Sequence, residues 1–291
     1  MIGESELIIN PDGTIFHLHL KPEQIADRII LVGDPGRVKM ISGKFDSVEF
    51  IASNREFVTM TGNYHGHRLT VLSTGIGTDN IDIVVNELDA LANIDLHTRE
   101  IRPEHRTLQL IRIGTSGGLQ RDIPVNSWIV SCKSVGFDPV LAFYADRKKY
   151  CDTDFEKAFR DFISWPGDFP SPYVVDASQE LLKKFSAEPF IRGVNISAPG
   201  FYGPQGRVLR LGLAFPGMNE MLGQFRFGSL KITNYEMESS AIYGLSRMLG
   251  HEAITICLLI ANRQIRSANE NHQQEMERLV EGVLNLLVSQ S

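Results

Sequence analysis

The sequence predicts an α/β fold, a single domain built on a central mixed, largely parallel sheet flanked by helices. Three observations carry this. Apolar runs of strand length recur without the in–out alternation of a half-exposed sheet, as buried parallel strands do. Helical patterns lie between them. No Pro/Gly/Ser-rich linker or shift in composition divides the 291 residues, a length one large α/β domain accommodates.

The strand runs are 28–33, 69–74, 108–114, 128–135 and 253–261. The first helix is expected over 79–93, where Ile83, Leu88 and Leu91 recur among acidic residues, with Thr78 or Asp79 as its N-cap. A short amphipathic segment follows Asp176 over 177–185, and two longer helices are expected over 236–249 and 269–287. Residues 138–172 differ. They are rich in Phe, Tyr, Asp and Lys, carry the breaker Trp165-Pro166-Gly167, and read as a partly helical excursion over the site or at a subunit contact.

Composition narrows the function. With 43% hydrophobic and 22% charged residues the chain is an ordinary globular one. A net charge of −6 argues against a nucleic-acid or anionic-membrane surface. No apolar run is long enough to span a bilayer, and the first residues lack the basic and apolar regions of a signal peptide. Cys132, Cys151 and Cys257 are odd in number and far apart, which fits a reducing compartment. A cytoplasmic protein is expected.

Four strand ends carry small residues followed by polar ones. At Gly33-Asp34-Pro35-Gly36-Arg37, a glycine turn exposes backbone N–H groups to an anion and Arg37 adds a fork of donors, although a plain turn has the same pattern. Neither a Walker A motif nor G-x-G-x-x-G occurs, so a nucleoside triphosphate or dinucleotide is not supported. In Arg112-Ile113-Gly114-Thr115-Ser116-Gly117, an arginine sits within an apolar strand. It needs either a structural carboxylate partner or an anionic ligand. Ser73-Thr74-Gly75-Ile76-Gly77 opens the first long helix. Phe201-Tyr202-Gly203-Pro204-Gln205-Gly206-Arg207 offers a flat face, an amide and a guanidinium, suited to a planar heterocycle with two carbonyls and an N–H, or else to a surface turn.

Glu236-Met237-Glu238 follows a strand-like Leu230-Lys231-Ile232-Thr233. Residues i and i+2 share a face in a strand and diverge by about 200° in a helix. One carboxylate therefore serves the helix start, and the other is free to enter a crevice at the strand end, where α/β sheets bind ligands. Alone, Glu236 reads as helix-start chemistry, and Glu238 is the freer group.

Together these segments, with Phe16-His17-Leu18, Asn54-Arg55-Glu56-Phe57 and Asn262-Arg263, resemble the nucleoside phosphorylase superfamily, and within it the uridine phosphorylase group. The resemblance runs from about residue 16 to residue 263. It implies phosphorolysis of uridine to uracil and ribose 1-phosphate, with inorganic phosphate as co-substrate and no cofactor. It implies phosphate binding by Gly33, Arg37, Arg112 and Thr115, with Arg55 reaching the phosphate of a neighbouring subunit. Met237 and Glu238 match ribose-binding positions, and His17 matches one that crosses the interface to the 5′-hydroxyl. Gln205 and Arg207 match uracil readers, Phe201 the residue packing on the base, and Arg263 the support of that pocket, while Glu236 stays open between helix start and site support. A shared site implies a homodimer at least, and a hexamer as a trimer of dimers is open.

Purine-cleaving relatives place an aspartate after the late strand, where this chain has Asn262-Arg263. The family's monovalent cation, potassium at the subunit interface, would fall near Glu56, Ile76 and Asn80, where asparagine replaces the usual serine. Two alternatives remain on the same scaffold: a purine nucleoside phosphorylase or nucleosidase, and a non-catalytic nucleoside-binding protein.

Overall fold

The computed structural model describes residues 1–265 and 267–289; the remainder of the expected 1–291 domain lies outside these. In chain order its elements are β1 Arg28–Val32, α1 Pro35–Ser42, β2 Ser47–Asn54, β3 Phe57–Tyr64, β4 His67–Ser73, α2 Thr78–Asn93 and the short β5 Ile94–Asp95 and β6 Glu100–Ile101. Then come β7 Gln109–Gly118, β8 Trp128–Gly136, α3 Thr153–Ile163, β9 Tyr173–Asp176, α4 Gln179–Lys184 and β10 Phe190–Ser197. The chain continues with α5 Met218–Gln224, β11 Arg226–Phe227, β12 Leu230–Glu236, α6 Ser239–Met248, β13 Glu252–Asn262, β14 Ser267–Ala268 and α7 Gln273–Val288.

One mixed sheet runs through the molecule in the order β11-β12-β10-β8-β13-β7-β1-β4-β3-β2. The pairings around β1, and those of β10 with its two neighbours, are parallel; the β2–β3–β4 meander and the β8–β13 seam are antiparallel. Because β12 also pairs with β7, strands β12, β10, β8, β13 and β7 close on themselves. Register places Arg112, Asn195, Ser197, Asn234, Glu236 and Thr255 on one face of this ring. The N-terminal turn of α6 meets that face, through Asn195 Nδ2 to Ser239 Oγ at 2.9 Å and Ser239 Oγ to Thr255 Oγ1 at 2.9 Å.

Local chemistry accounts for the helices. Asp34 caps α1 with Pro35 in the first position, and Asp152 and Ser178 cap α3 and α4. Phe155, Phe159 and Ile163 bury one stripe of α3, while Met276, Leu279, Val280, Val283 and Leu287 bury one stripe of α7.

Three expectations are corrected. The helix expected from residue 236 begins at Ser239, because β12 continues to Glu236. The N-cap of α2 is Gly77, at φ 102°, rather than Thr78 or Asp79. The hairpin β2–β3 and strand β10 are absent from the expected set. The hairpin is edge structure, and β10 carries Asn195 and Ser197 on the face of the ring that meets α6, which breaks the apolar run. The 138–172 excursion is partly helical as expected: two single 3₁₀ turns, then α3. Buried Asp138 anchors it, accepting from Tyr173 at 2.9 Å and from Ser240 at 2.8 Å.

Candidate active site

The ends of β1, β4, β7 and β12 meet at one place. Arg112 projects from the middle of β7 and folds back over Gly114, where a Cβ would lie 2.1 Å from its Nη1. Its guanidinium contacts the Glu238 carboxylate directly and lies 3.5 Å from Glu236. Its Nη1 also reaches Cys257 Sγ at 3.4 Å. Glu238 is therefore not the free carboxylate that its position in the sequence predicts: its other oxygen accepts the backbone N–H of Gly77 at 2.8 Å. Glu236 caps α6 from the strand end, accepting the N–H groups of Glu238 at 2.8 Å and Ser239 at 3.0 Å, and Ser197 Oγ donates to it at 2.5 Å. Of the roles considered for Glu236, the helix start is the one these hydrogen bonds fill.

The electrostatics follow from burial. Burial pulls Arg112 down, but Glu238 and then Glu236 oppose it and hold the guanidinium above its ordinary range. Burial pushes Glu238 up and Arg112 draws it back. Burial also lowers Arg37, and Arg112 adds to the shift. Arg37 donates to the Ile113 carbonyl at 3.2 Å, which fixes it beside the same strand. Two arginines close enough to oppose each other favour an anion between them. Gly33 lies against the Gly75 carbonyl, and the half-buried Thr115 hydroxyl has no protein partner among the described residues. Met237 is half-buried between the two glutamates. A 380 Å³ cavity opens beside Arg37, lined also by Asp34, Met40, His272 and Met276.

The second cluster is the turn after β10. Gln205 Oε1 accepts from Arg207 Nη1 at 2.7 Å and from Arg263 Nη2 at 2.7 Å. Arg207 stacks 3.6 Å over the Phe201 ring, and Phe201 is 50% exposed. Burial, with Arg207 adding, pushes Arg263 down to about 10. Tyr235 and Asn219 were not singled out in the sequence. Tyr235 donates to Asn219 Oδ1 at 3.0 Å, and its ring lies 4.8 Å under Arg263. Asn262 is bound on both edges, donating to the Gln120 and Ile123 carbonyls and accepting from the Gln264 N–H.

A third group stands apart. His17 Nδ1 lies 2.6 Å from Glu87, whose carboxylate also takes the His17 and Leu18 N–H groups, while Asn54 donates to the His17 carbonyl. Exposed Arg55, at the β2–β3 tip with φ 54°, lies 6.0 Å over Phe16. Among the described residues no hydrogen bond joins His17 or Arg55 to Arg37, Arg112 or Glu238. Glu56 and Asn80 converge on Gly75, beside Ile76, which is 67% exposed.

Asp89, His105 and His251 also converge and could in principle hold a metal. However, His251 Nδ1 accepts the Leu108 N–H at 3.2 Å, which puts its proton on Nε2, directed at Asp89 3.1 Å away. The imidazole is a structural link there.

A profile of the Phosphorylase superfamily matches residues 27–289. This chain belongs to that superfamily. A Thermococcus kodakarensis uridine phosphorylase is 26% identical, over 95% of this chain and 87% of its own. A Haemophilus influenzae uridine phosphorylase is 29% identical over 86% of each. A DeoD-type purine nucleoside phosphorylase of Streptococcus suis is 25% identical over 94% of this chain and 99% of its own. Among solved structures, a Trypanosoma brucei nucleoside phosphorylase described as showing uridine phosphorylase activity superposes at TM-score 0.87 with 32% identity, over 98% of this chain and all of its own. A Phytophthora capsici uridine phosphorylase shares the fold at TM-score 0.73 and 23% identity, over 97% of each chain. No helix among the described residues is long and apolar enough to cross a membrane.

Proposed function

We propose that this protein cleaves uridine with inorganic phosphate to uracil and ribose 1-phosphate. The observation that carries the reading is the Arg112–Glu238 pair beside Arg37. On this reading a phosphate-binding charge and a ribose-hydroxyl acceptor are in contact before either substrate arrives. Phosphate docks between Arg37 and Arg112, against Gly33 and Thr115, and takes over the guanidinium that Glu238 now holds. Glu238 then accepts from the 2′- and 3′-hydroxyls, with Met237 against the sugar. Held against the anomeric carbon, the dianion stabilises positive charge building on the sugar, which is catalysis by positioning. The base leaves with negative charge on its oxygens, met by Gln205 and Arg207, supported by Arg263 and flanked by Phe201.

The identity of the T. brucei relative supports uridine over purine nucleosides, and so does Asn262. With both edges of its amide bound to backbone, Asn262 has no proton to give a purine ring nitrogen. His17 and Arg55, clustered away from Arg112, complete the site of a second copy, so the working unit is a homodimer at least, with a hexamer of three dimers as the larger option. Glu87 holds His17 Nδ1 and leaves Nε2 to reach the 5′-hydroxyl. Glu56, Asn80 and the Ile76 carbonyl would supply oxygens to a monovalent cation between the copies.

The test is uracil release from uridine with and without phosphate. Release should require phosphate. Release without it would make the protein a nucleosidase, cleavage of inosine in preference to uridine would make it a purine enzyme, and no cleavage of any nucleoside would favour a binding protein.

A further inference from the structure

Asp138 is a buried carboxylate that the proposed reaction does not use, and no cation pairs with it among the described residues. Burial pushes it up from its ordinary value, and hydrogen bonds from Ser240, Val140 and Tyr173 draw it back. A buried carboxylate without a counter-ion calls for a reason. Its partners supply one. Oδ1 accepts the Val140 N–H at 3.0 Å and faces the Tyr173 hydroxyl at 2.9 Å, while Oδ2 accepts from Ser240 Oγ at 2.8 Å. Residue 138 opens the 138–172 excursion and Tyr173 follows its last residue, so the carboxylate ties both ends of that segment to Ser240, the second residue of α6. Gly136 makes the room: a Cβ there would lie 2.4 Å from the Tyr173 ring and 2.9 Å from Ser240 Cβ.

From Ser240 the bonding runs inward. Its N–H donates to Ser197 Oγ at 2.9 Å. An N–H can only donate, so Ser197 accepts there and sends its own proton to Glu236 Oε1 at 2.5 Å. Glu236 in turn accepts the Glu238 N–H at 2.8 Å, which fixes the peptide that carries the Glu238 side chain. Glu238 is also the N-cap residue of α6, so its carboxylate moves with the start of that helix. We infer that Asp138 is a positioning residue: through Ser240 it holds the first turn of α6, and with it Glu238, in the place where the 2′- and 3′-hydroxyls of the ribose are met. This rests on the ribose role proposed above for Glu238. Every group along the path is buried, so a broken bond leaves a neighbour unpaired and the turn shifts to repair it. The excursion thereby acts on the sugar without touching it.

Two substitutions cut the path from its two sides. Ser240→Ala removes the hydroxyl and suits the first turn of a helix. Asp138→Ala removes the carboxylate and leaves the Tyr173 and Ser240 hydroxyls, 3.0 Å apart, to bond each other. A displaced Glu238 costs a substrate with a 2′-hydroxyl more than one without it. Each variant should therefore lose about tenfold in kcat/KM for uridine and less than about threefold for 2′-deoxyuridine. The double variant should lose no more than either single one, because both break the same path. Equal losses for the two nucleosides would give Asp138 a structural role only and overturn the inference. Wild-type rates in both variants, or losses that multiply in the double variant, would overturn it too. If thermal melts show only one single variant folded, the comparison of the two nucleosides on that variant decides. The wild-type protein is assayed first. Cleavage of both nucleosides without preference for uridine would strike the ribose role of Glu238, and this inference with it, while cleavage of neither would strike the function itself and so the ground of both.

Discussion

The proposed phosphate–ribose half and the proposed base half of the site are built on opposite plans. In the first, Arg112, Glu236 and Glu238 are buried and already satisfy one another, on rigid strand ends and the start of α6. In the second, Phe201 and Arg207 stand in or near solvent on a turn, and two arginines converge on one amide with no carboxylate among them. The contrast is one of charge. Buried opposite charges hold their geometry through each other, whereas the arginines of the turn after β10 have no carboxylate partner among the described residues, which suits the proposed departure of an anionic base.

The largest expected effect breaks the buried half. Arg112→Ala leaves two carboxylates side by side without their cation. It should cost about 3–5 kcal/mol of stability in denaturant unfolding along with the activity. A cost under about 1 kcal/mol would mean that the two glutamates do not depend on it. On the other half, Arg207→Ala should lower kcat/KM for uridine by about a hundredfold while changing stability by no more than about 0.5 kcal/mol. Equal losses in uridine turnover and phosphate affinity would remove the distinction between the halves. The smallest effect is in pH. Burial pushes Arg263 down to about 10, so its hold on Gln205 should weaken and KM for uridine rise as pH passes about 10. The sign for stability is the reverse. Its folded value is below the ordinary one of 12.5, so above about 10 the unfolded chain binds the extra proton and stability from this group increases with pH. A flat uridine KM across that range would show that Arg263 does not hold Gln205 through its charge.

Much of the fold was legible because its central strands carry mostly apolar, buried runs, as at β1, β4, β7, β8 and β13. What escaped was edge or functional structure. The β2–β3 hairpin has solvent on one side, and β10 carries Asn195 and Ser197, polar for the sake of the Glu236 network. Within the site, Arg112 was conspicuous as a charge in an apolar strand, and Gly114, two residues on and on the same face, was the available hint that the guanidinium folds over it. Asn219 and Tyr235 had no local signal, because their importance lies in contacts with Gln205 and Arg263, fourteen or more residues away along the chain.

The sequence by itself determined the strand–helix class, the residue types at each strand end and their order along the chain, since periodicity and glycine chemistry are local. Only the tertiary structure decided how the charges pair: that Glu238 rests on Arg112, that Glu236 serves β12 and α6 at once, and that Gln205 has its oxygen already taken. Those pairings depend on the closure of β12 onto β7 and on the return of Arg263 to a turn that precedes it by 58 residues, and contacts at that separation leave no mark in local sequence.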